Sequence, residues 1–86
     1  MNIQAAELRH LPELAGLFDA YRQFYEMPPD LKACEAYLRD RMEAKESIIF
    51  VSENANGQLD GFVQLYHSFC SVEMIVLTTL YDLYVL

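Results

Sequence analysis

An isolated carboxylate in an apolar segment is the first candidate for chemistry in this sequence. Asp82 lies between Tyr81 and Leu83 in the run EMIVLTTLYDLYVL at residues 73–86. If its side chain faces a cleft, burial makes the carboxylate a better proton acceptor, which suits general-base catalysis. The alternative is that Asp82 only marks the solvent face of a strand, and spacing alone does not choose between the two.

Two groups of polar and aromatic side chains are candidates to line such a cleft. Gln64 and Tyr66 share one face of the preceding apolar run, because side chains alternate along a strand. Tyr21 and Tyr25 lie four residues apart at the end of a helical pattern, where their hydroxyls can orient a polar substrate. Ordinary core packing of an aromatic stripe explains the same two tyrosines, so both interpretations stay open. His67 is expected to point away from this face and to be structural or exposed.

Metal and phosphate chemistry find no support in the residue spacing. Cys34, Cys70, His10 and His67 are too scattered to supply the four ligands of a metal site. None of the three glycines belongs to a Gly-rich turn that opens a helix, so no phosphate-binding loop is present. We expect both cysteines to be reduced and to lie in or near the core.

The net negative charge of the chain disfavours polyanionic binding partners. Thirteen acidic residues stand against 6 basic ones, which gives a formal charge of −7. Such a balance disfavours nucleic acids and anionic membrane surfaces, because both require clustered Lys and Arg. The N-terminus lacks the pattern of a signal peptide, and no apolar run reaches the roughly 20 residues of a membrane span. We therefore expect a cytoplasmic protein without nucleic-acid or membrane partners.

Two helical patterns are expected to position these side chains. The first has apolar residues spaced by three and four from Leu11 onwards, and it should end before Pro28-Pro29. The second should run from about residue 31 to 45, with Asp30 as its N-cap. Its apolar stripe consists of Leu31, Cys34, Leu38 and Met42.

Four segments have the patterns of strands, at residues 2–7, 47–53, 59–69 and 73–86. Asn56-Gly57 predicts a hairpin between the second and third segments, and a short break at residues 68–71 separates the last two. The order β-α-α-β-β-β predicts one α+β domain over residues 1–86. In this fold two helices pack on a mostly antiparallel four-stranded sheet.

Four segments together resemble the N-terminal half of a GNAT-superfamily N-acetyltransferase. They are LFDAYRQFY at residues 17–25, GFVQLY at 61–66, SFCSV at 68–72 and LYDLYV at 80–85. The resemblance implies transfer of an acetyl group from acetyl-CoA to an amine of a small molecule or a protein. It implies Asp82 near the reacting amine, with an acceptor side formed by Tyr21, Tyr25, Gln64 and Tyr66.

The same resemblance implies that the backbone of Leu83, Tyr84 and Val85 flanks the pantetheine arm of acetyl-CoA. In the family, an Arg- and Gly-rich turn after the fourth strand cradles the CoA pyrophosphate, whereas this sequence stops at Leu86. We therefore expect a truncated chain that is inactive and does not bind acetyl-CoA alone. The alternative is a non-catalytic module that self-associates.

An assembly follows from the same comparison, because in the family a fifth strand pairs with the fourth. Without that strand, residues 73–86 form a long apolar edge, and such edges recruit other chains. We expect a homodimer through this strand, or a complex with a complementing C-terminal half. Six apolar side chains are candidates for exposure: Met74, Val76, Leu77, Leu80, Leu83 and Val85.

Overall fold

A computed structural model describes residues 2–86 and shows two helices on one face of an antiparallel sheet. The strands follow the sheet order β1-β2-β3-β4, and each neighbouring pair is antiparallel. The elements are β1 (Asn2–Ala5), α1 (Leu11–Phe24), α2 (Leu31–Glu43), β2 (Ser47–Glu53), β3 (Leu59–Cys70) and β4 (Ile75–Val85), with a 3-10 turn at Leu8–His10. The predicted α+β class and the order β-α-α-β-β-β are confirmed.

The predicted break between the last two strands was placed too early. β3 continues to Cys70, which pairs with Ile75, and the turn occupies residues 71–74. Met74 closes this turn with φ 55°, and its N–H donates to the Ser71 carbonyl. Serines at 68 and 71 favour turns locally, but the cross-strand pairing of the hairpin decides where the turn lies. β4 accordingly begins at residue 75 rather than 73.

The helix boundaries follow local capping chemistry. The Asp30 side chain accepts a hydrogen bond from the Ala33 N–H at 3.1 Å, which confirms the predicted N-cap of α2. α2 ends at Glu43, two residues before the predicted end, because Lys45 adopts φ 55° and leaves the helix. The Glu46 N–H then donates to the Arg41 carbonyl at 3.0 Å, the backbone bond of a Schellman motif.

One apolar cluster lies between the helices and the sheet. It contains Leu11, Leu14, Ala15, Leu17, Phe18, Cys34, Leu38, Ile49, Val51, Leu59 and Phe62. Cys34 is buried in it, as predicted, whereas Cys70 is half-buried at the end of β3 and does not belong to the cluster; both are free thiols. At Gly61 an added Cβ would lie 3.1 Å from the Tyr84 carbonyl oxygen, so the glycine permits the close approach of β3 and β4.

The last strand is the outer edge of the described sheet, since β3 is its one neighbour. The six apolar side chains predicted to be exposed are between 42% and 89% exposed: Met74, Val76, Leu77, Leu80, Leu83 and Val85. Over the described residues, none of the helices is long and apolar enough to cross a membrane.

Candidate active site

A β-bulge in β4 aims Asp82 at the helices. Leu65 pairs with Leu80 and Gln64 pairs with Asp82, so Tyr81 is an extra residue without a partner in β3. Strict alternation would place Asp82 on the same outer face as Leu80, but the bulge reverses the order of faces. The Asp82 side chain is consequently buried under α1, with 6% of the residue exposed, and does not lie on the solvent face.

The Asp82 carboxylate is held by two neutral donors. The Tyr21 hydroxyl donates to Oδ1 at 2.9 Å, and Gln64 Nε2 donates to Oδ2 at 3.0 Å. Gln64 is fully buried, and its Oε1 has no hydrogen-bond partner. Across residues 2–86, none of the ion pairs includes Asp82. The site therefore contains a desolvated negative charge that forms no ion pair within the described residues.

The tyrosine hydroxyls beside Asp82 remain protonated at neutral pH. Burial, together with the hydrogen bond to Asp82, raises the pKa of Tyr21 to about 12. Burial also raises the pKa of Tyr66, as does its 2.9 Å hydrogen bond with the Tyr37 hydroxyl. These groups act as neutral hydrogen-bonding partners around the carboxylate.

A cavity of about 500 Å³ opens beside this carboxylate, between the two helices and the end of the sheet. Of the predicted acceptor-side residues, Tyr21 and Tyr66 line it, and Gln64 lies behind Asp82. Tyr25 does not line the cavity; it is 63% exposed and contacts the Tyr21 ring edge-on, with centroids 5.3 Å apart. The other lining residues are Phe18, Arg22, Pro28, Asp30, Ala33, Cys34 and Tyr37.

Tyr37 is a wall residue that the sequence analysis did not single out as functional. Its ring stacks on Phe18 with centroids 5.9 Å apart, and the Arg41 guanidinium lies 4.8 Å from its ring centre. Tyr37 follows Cys34 by three residues and precedes Arg41 by four, so all three share one face of α2. This spacing, which places Tyr37 on the same face of the helix as Cys34, is the feature of the sequence that could have identified Tyr37 as a wall residue.

Asp19 is a second residue that the sequence analysis missed, because it resembles an ordinary solvated position of a helix. Its buried Oδ1 accepts from the Asp30 N–H at 2.9 Å and from Cys34 Sγ at 3.7 Å, while Oδ2 accepts from Gln23 at 3.2 Å. Burial, helped by the Asp19 charge, raises the pKa of the Cys34 thiol and keeps it neutral. Asp19 thus joins α1 to the start of α2 and fixes the rim of the cavity.

The predicted cofactor-side residues lie on the free edge of the sheet. Leu83 and Val85 are exposed, whereas Tyr84 is half-buried and packs against the core next to Phe62. His67 is exposed and bonds to Thr78 at 3.2 Å, which agrees with the prediction for it. No group of three or more metal-binding side chains occurs within the described residues.

A second cavity, of about 490 Å³, lies at the other end of the sheet around β1 and the end of α2. It contains none of the predicted site residues, and its lining is mainly apolar. The cavity beside Asp82 is therefore the candidate active site, because it contains a buried carboxylate with tyrosine hydrogen-bond partners.

Comparison with known proteins returns relatives that are named acetyltransferases, although no protein-family model matches the chain. YhfO, an uncharacterized N-acetyltransferase of Bacillus subtilis, is 44% identical over 99% of this chain and 56% of that protein. A probable acetyltransferase of Haemophilus influenzae is 33% identical over 100% of this chain and 59% of that protein. The crystal structure of a probable acetyltransferase matches with a TM-score of 0.92 and 40% identity, over 99% of this chain and 57% of that one. The chain therefore spans little more than half the length of these relatives.

Proposed function

We propose that the cavity beside Asp82 is the acceptor side of an acetyl-transfer site. The premise is that the chain is related to the GNAT-superfamily N-acetyltransferases over a little more than half of their length. The reaction moves an acetyl group from acetyl-CoA to an amine. The observation that carries the proposal is the buried Asp82 carboxylate, which two neutral donors hold at the cavity wall.

Asp82 is the general base of this proposal. Amines are protonated at neutral pH, and an ammonium has no lone pair with which to attack a thioester. Asp82 accepts one proton from the ammonium, while Tyr21 and Gln64 hold the two carboxylate oxygens in place. The freed nitrogen forms the new C–N bond and gives up a second proton as the C–S bond breaks, and CoA leaves as a thiol.

Acetyl-CoA would approach along the free edge of β4, where Leu83, Tyr84 and Val85 offer their backbone groups to the pantetheine arm. This edge fits an amide-containing chain, because its outer N–H and C=O groups have no strand partner in the described sheet. It does not fit the diphosphate, since residues 46–86 contain no Lys or Arg. The 86-residue chain alone should accordingly give no micromolar binding of acetyl-CoA in calorimetry.

A chimaera tests the catalytic proposal. Residues 1–86 are joined to the remaining part of the Bacillus subtilis relative, and acetyl-CoA-dependent acetylation of a panel of amines is measured. Asp82→Asn should lower the turnover by roughly 10²–10⁴-fold, as expected for loss of a general base. Asp40→Asn, the same change at an exposed position of α2, is the matched control. An active chimaera whose turnover does not respond to Asp82→Asn would contradict the role of Asp82.

The exposed edge also supports an assembly of the chain as it stands. No Lys or Pro interrupts β4, and long apolar edges without such residues pair with other chains. Burying about 400 Å² of apolar surface contributes about 10 kcal/mol, against association costs of about 4–15 kcal/mol. We propose a two-fold homodimer in which β4 pairs with β4 of a second copy. In the presence of a complementing C-terminal half, that half would take the part of the edge before Leu83 and leave the backbone of Leu83, Tyr84 and Val85 to the pantetheine arm.

Two simpler proposals complete the assignment. The single apolar cluster supports one folding domain over the chain. We propose that the protein is cytoplasmic, because its two free thiols are typical of a reducing compartment. The names of both relatives, an N-acetyltransferase and a probable acetyltransferase, favour the catalytic proposal over a non-catalytic module.

A further inference from the structure

Arg22 brings to the cavity beside Asp82 a positive charge that forms no ion pair within the described residues. Its side chain is half-buried and lines the cavity, where Nη1 lies 3.9 Å from Cys34 Sγ. Throughout residues 2–86, the ion pairs of arginine use Arg9, Arg39 and Arg41, and none uses Arg22. In a chain with 13 acids and 6 bases, a partly buried guanidinium without an acid partner is unusual.

The nearby acidic groups are already engaged by other donors. Asp19 accepts from the Asp30 N–H, Cys34 and Gln23, and Asp30 accepts from the N–H of Ala33 at the start of α2. The guanidinium itself donates one weak hydrogen bond, from Nη1 to Cys34 Sγ at 3.9 Å. Its other N–H groups can bind an anion, and its planar fork matches a carboxylate.

Aromatic rings form much of the uncharged part of the cavity wall. Phe18, Tyr37 and Tyr66 line the same space as Arg22 and Asp82. Flat rings of this kind favour an apolar or aromatic ligand body, and their faces also attract an ammonium. One cavity of about 500 Å³ thus contains an unpaired carboxylate, an unpaired guanidinium and an apolar wall.

We propose that the acceptor is a zwitterionic amino acid with an apolar or aromatic body. Its ammonium is bound by Asp82 and its carboxylate by Arg22, while the body packs on Phe18 and Tyr37. This inference rests on the proposed function, because it names the acceptor of that same site. Arg22 is then a specificity-determining residue, because it selects acceptors that carry an acid.

Calorimetric titration of the 86-residue chain without acetyl-CoA tests the proposal. L-phenylalanine is compared with phenethylamine, which lacks the carboxylate, and with hydrocinnamate, which lacks the ammonium. para-(Aminomethyl)benzoate, benzylamine and para-toluate repeat the comparison with the two charges farther apart. We expect at least one zwitterion to bind roughly tenfold or more tightly than both of its single-charge analogues.

Two variants assign the ends of the ligand. Arg22→Gln should weaken binding of the zwitterion and the acid roughly tenfold or more and leave the amine unchanged. Asp82→Asn should weaken binding of the zwitterion and the amine to a similar degree and leave the acid unchanged. Arg22→Lys keeps the positive charge without the planar guanidinium and should retain part of the affinity. It keeps the test usable if Arg22→Gln does not fold. Arg39→Gln, the same change at an exposed position, is the control and should bind like the parent chain.

Two results would overturn the inference. One is that neither zwitterion binds more tightly than its amine analogue. The other is that the Arg22 substitutions weaken all ligands equally. Neither result touches the acetyl transfer itself, since a chimaera that acetylates benzylamine and depends on Asp82 would still support the proposed function.

Discussion

Replacing Asp82 by Asn is expected to stabilise the protein or leave it unchanged, while replacing it by Ala destabilises it. In Asp82→Ala, the fully buried Gln64 Nε2 loses its acceptor, which costs about 1–3 kcal/mol. The Tyr21 hydroxyl loses its acceptor as well, but it borders the cavity and can bond to water instead.

In Asp82→Asn both hydrogen bonds have a replacement. The new side-chain carbonyl still accepts from Tyr21, and the new amide donates to Gln64 once the Gln64 amide turns over. That rotation is possible because Gln64 Oε1 has no partner to lose. The unbalanced buried charge disappears at the same time, which favours the folded state. We expect the Asn and Ala variants to differ by about 2 kcal/mol in free energy of unfolding.

Urea denaturation and thermal melting at neutral pH measure the difference, at one fixed protein concentration because self-association shifts both. A gap of about 2 kcal/mol corresponds to a Tm difference of about 8–16 °C for a domain of this size. If Asp82→Asn were as unstable as Asp82→Ala, the negative charge would itself be stabilising. Asp82 would then already have a cationic partner, and the argument for a cation-binding carboxylate would be wrong.

Three further outcomes are expected. Light scattering on a size-exclusion column should show a dimer that Leu80→Lys dissociates and the control Leu8→Lys does not; a monomer from micromolar to millimolar concentration would contradict the assembly. Because the pKa of Tyr21 is raised from 10.0 to about 12, the folded chain keeps this proton longer than the unfolded chain, so stability present below pH 10 falls as the pH rises to about 12. Tyr21→Phe should reduce that fall in alkaline urea titrations, and an unchanged profile would argue against it. Lys45→Gly should raise the free energy of unfolding by roughly 1 kcal/mol, because Lys45 has φ 55°; Lys45→Ala keeps the strain and should give no gain.

Features set by nearby residues were predicted well from the sequence. The N-cap at Asp30 and the Asn56-Gly57 turn depend on contacts within a few residues, and both are present. For the same reason the helical stripes predicted most of the buried faces of α1 and α2, with Cys34, Leu38 and Met42 of α2 in or against the core. Leu31, also predicted in the α2 stripe, is exposed because it begins the helix away from the sheet. Such patterns lose information where the chain pairs with a distant segment, as the misplaced turn between β3 and β4 illustrates.

The candidate site was predicted only in part, because its geometry depends on register. Which face Asp82 occupies is decided by the bulge at Tyr81, and no local propensity marks that residue as unpaired. The roles of Arg22 and Tyr37 likewise require the packing of α2 against α1. Residue types identified Tyr21, Gln64 and Tyr66, but the positive side of the cavity required the fold.

The bulge at Tyr81 also gives β4 one position at which its length can change. Removing one residue elsewhere in a paired strand exchanges the inner and outer faces for everything beyond the deletion. Removing Tyr81 instead leaves Leu80 opposite Leu65 and Asp82 opposite Gln64, because Tyr81 has no register partner in β3. A divergent copy of this sequence that lacks the residue at this position should therefore keep the carboxylate in its place.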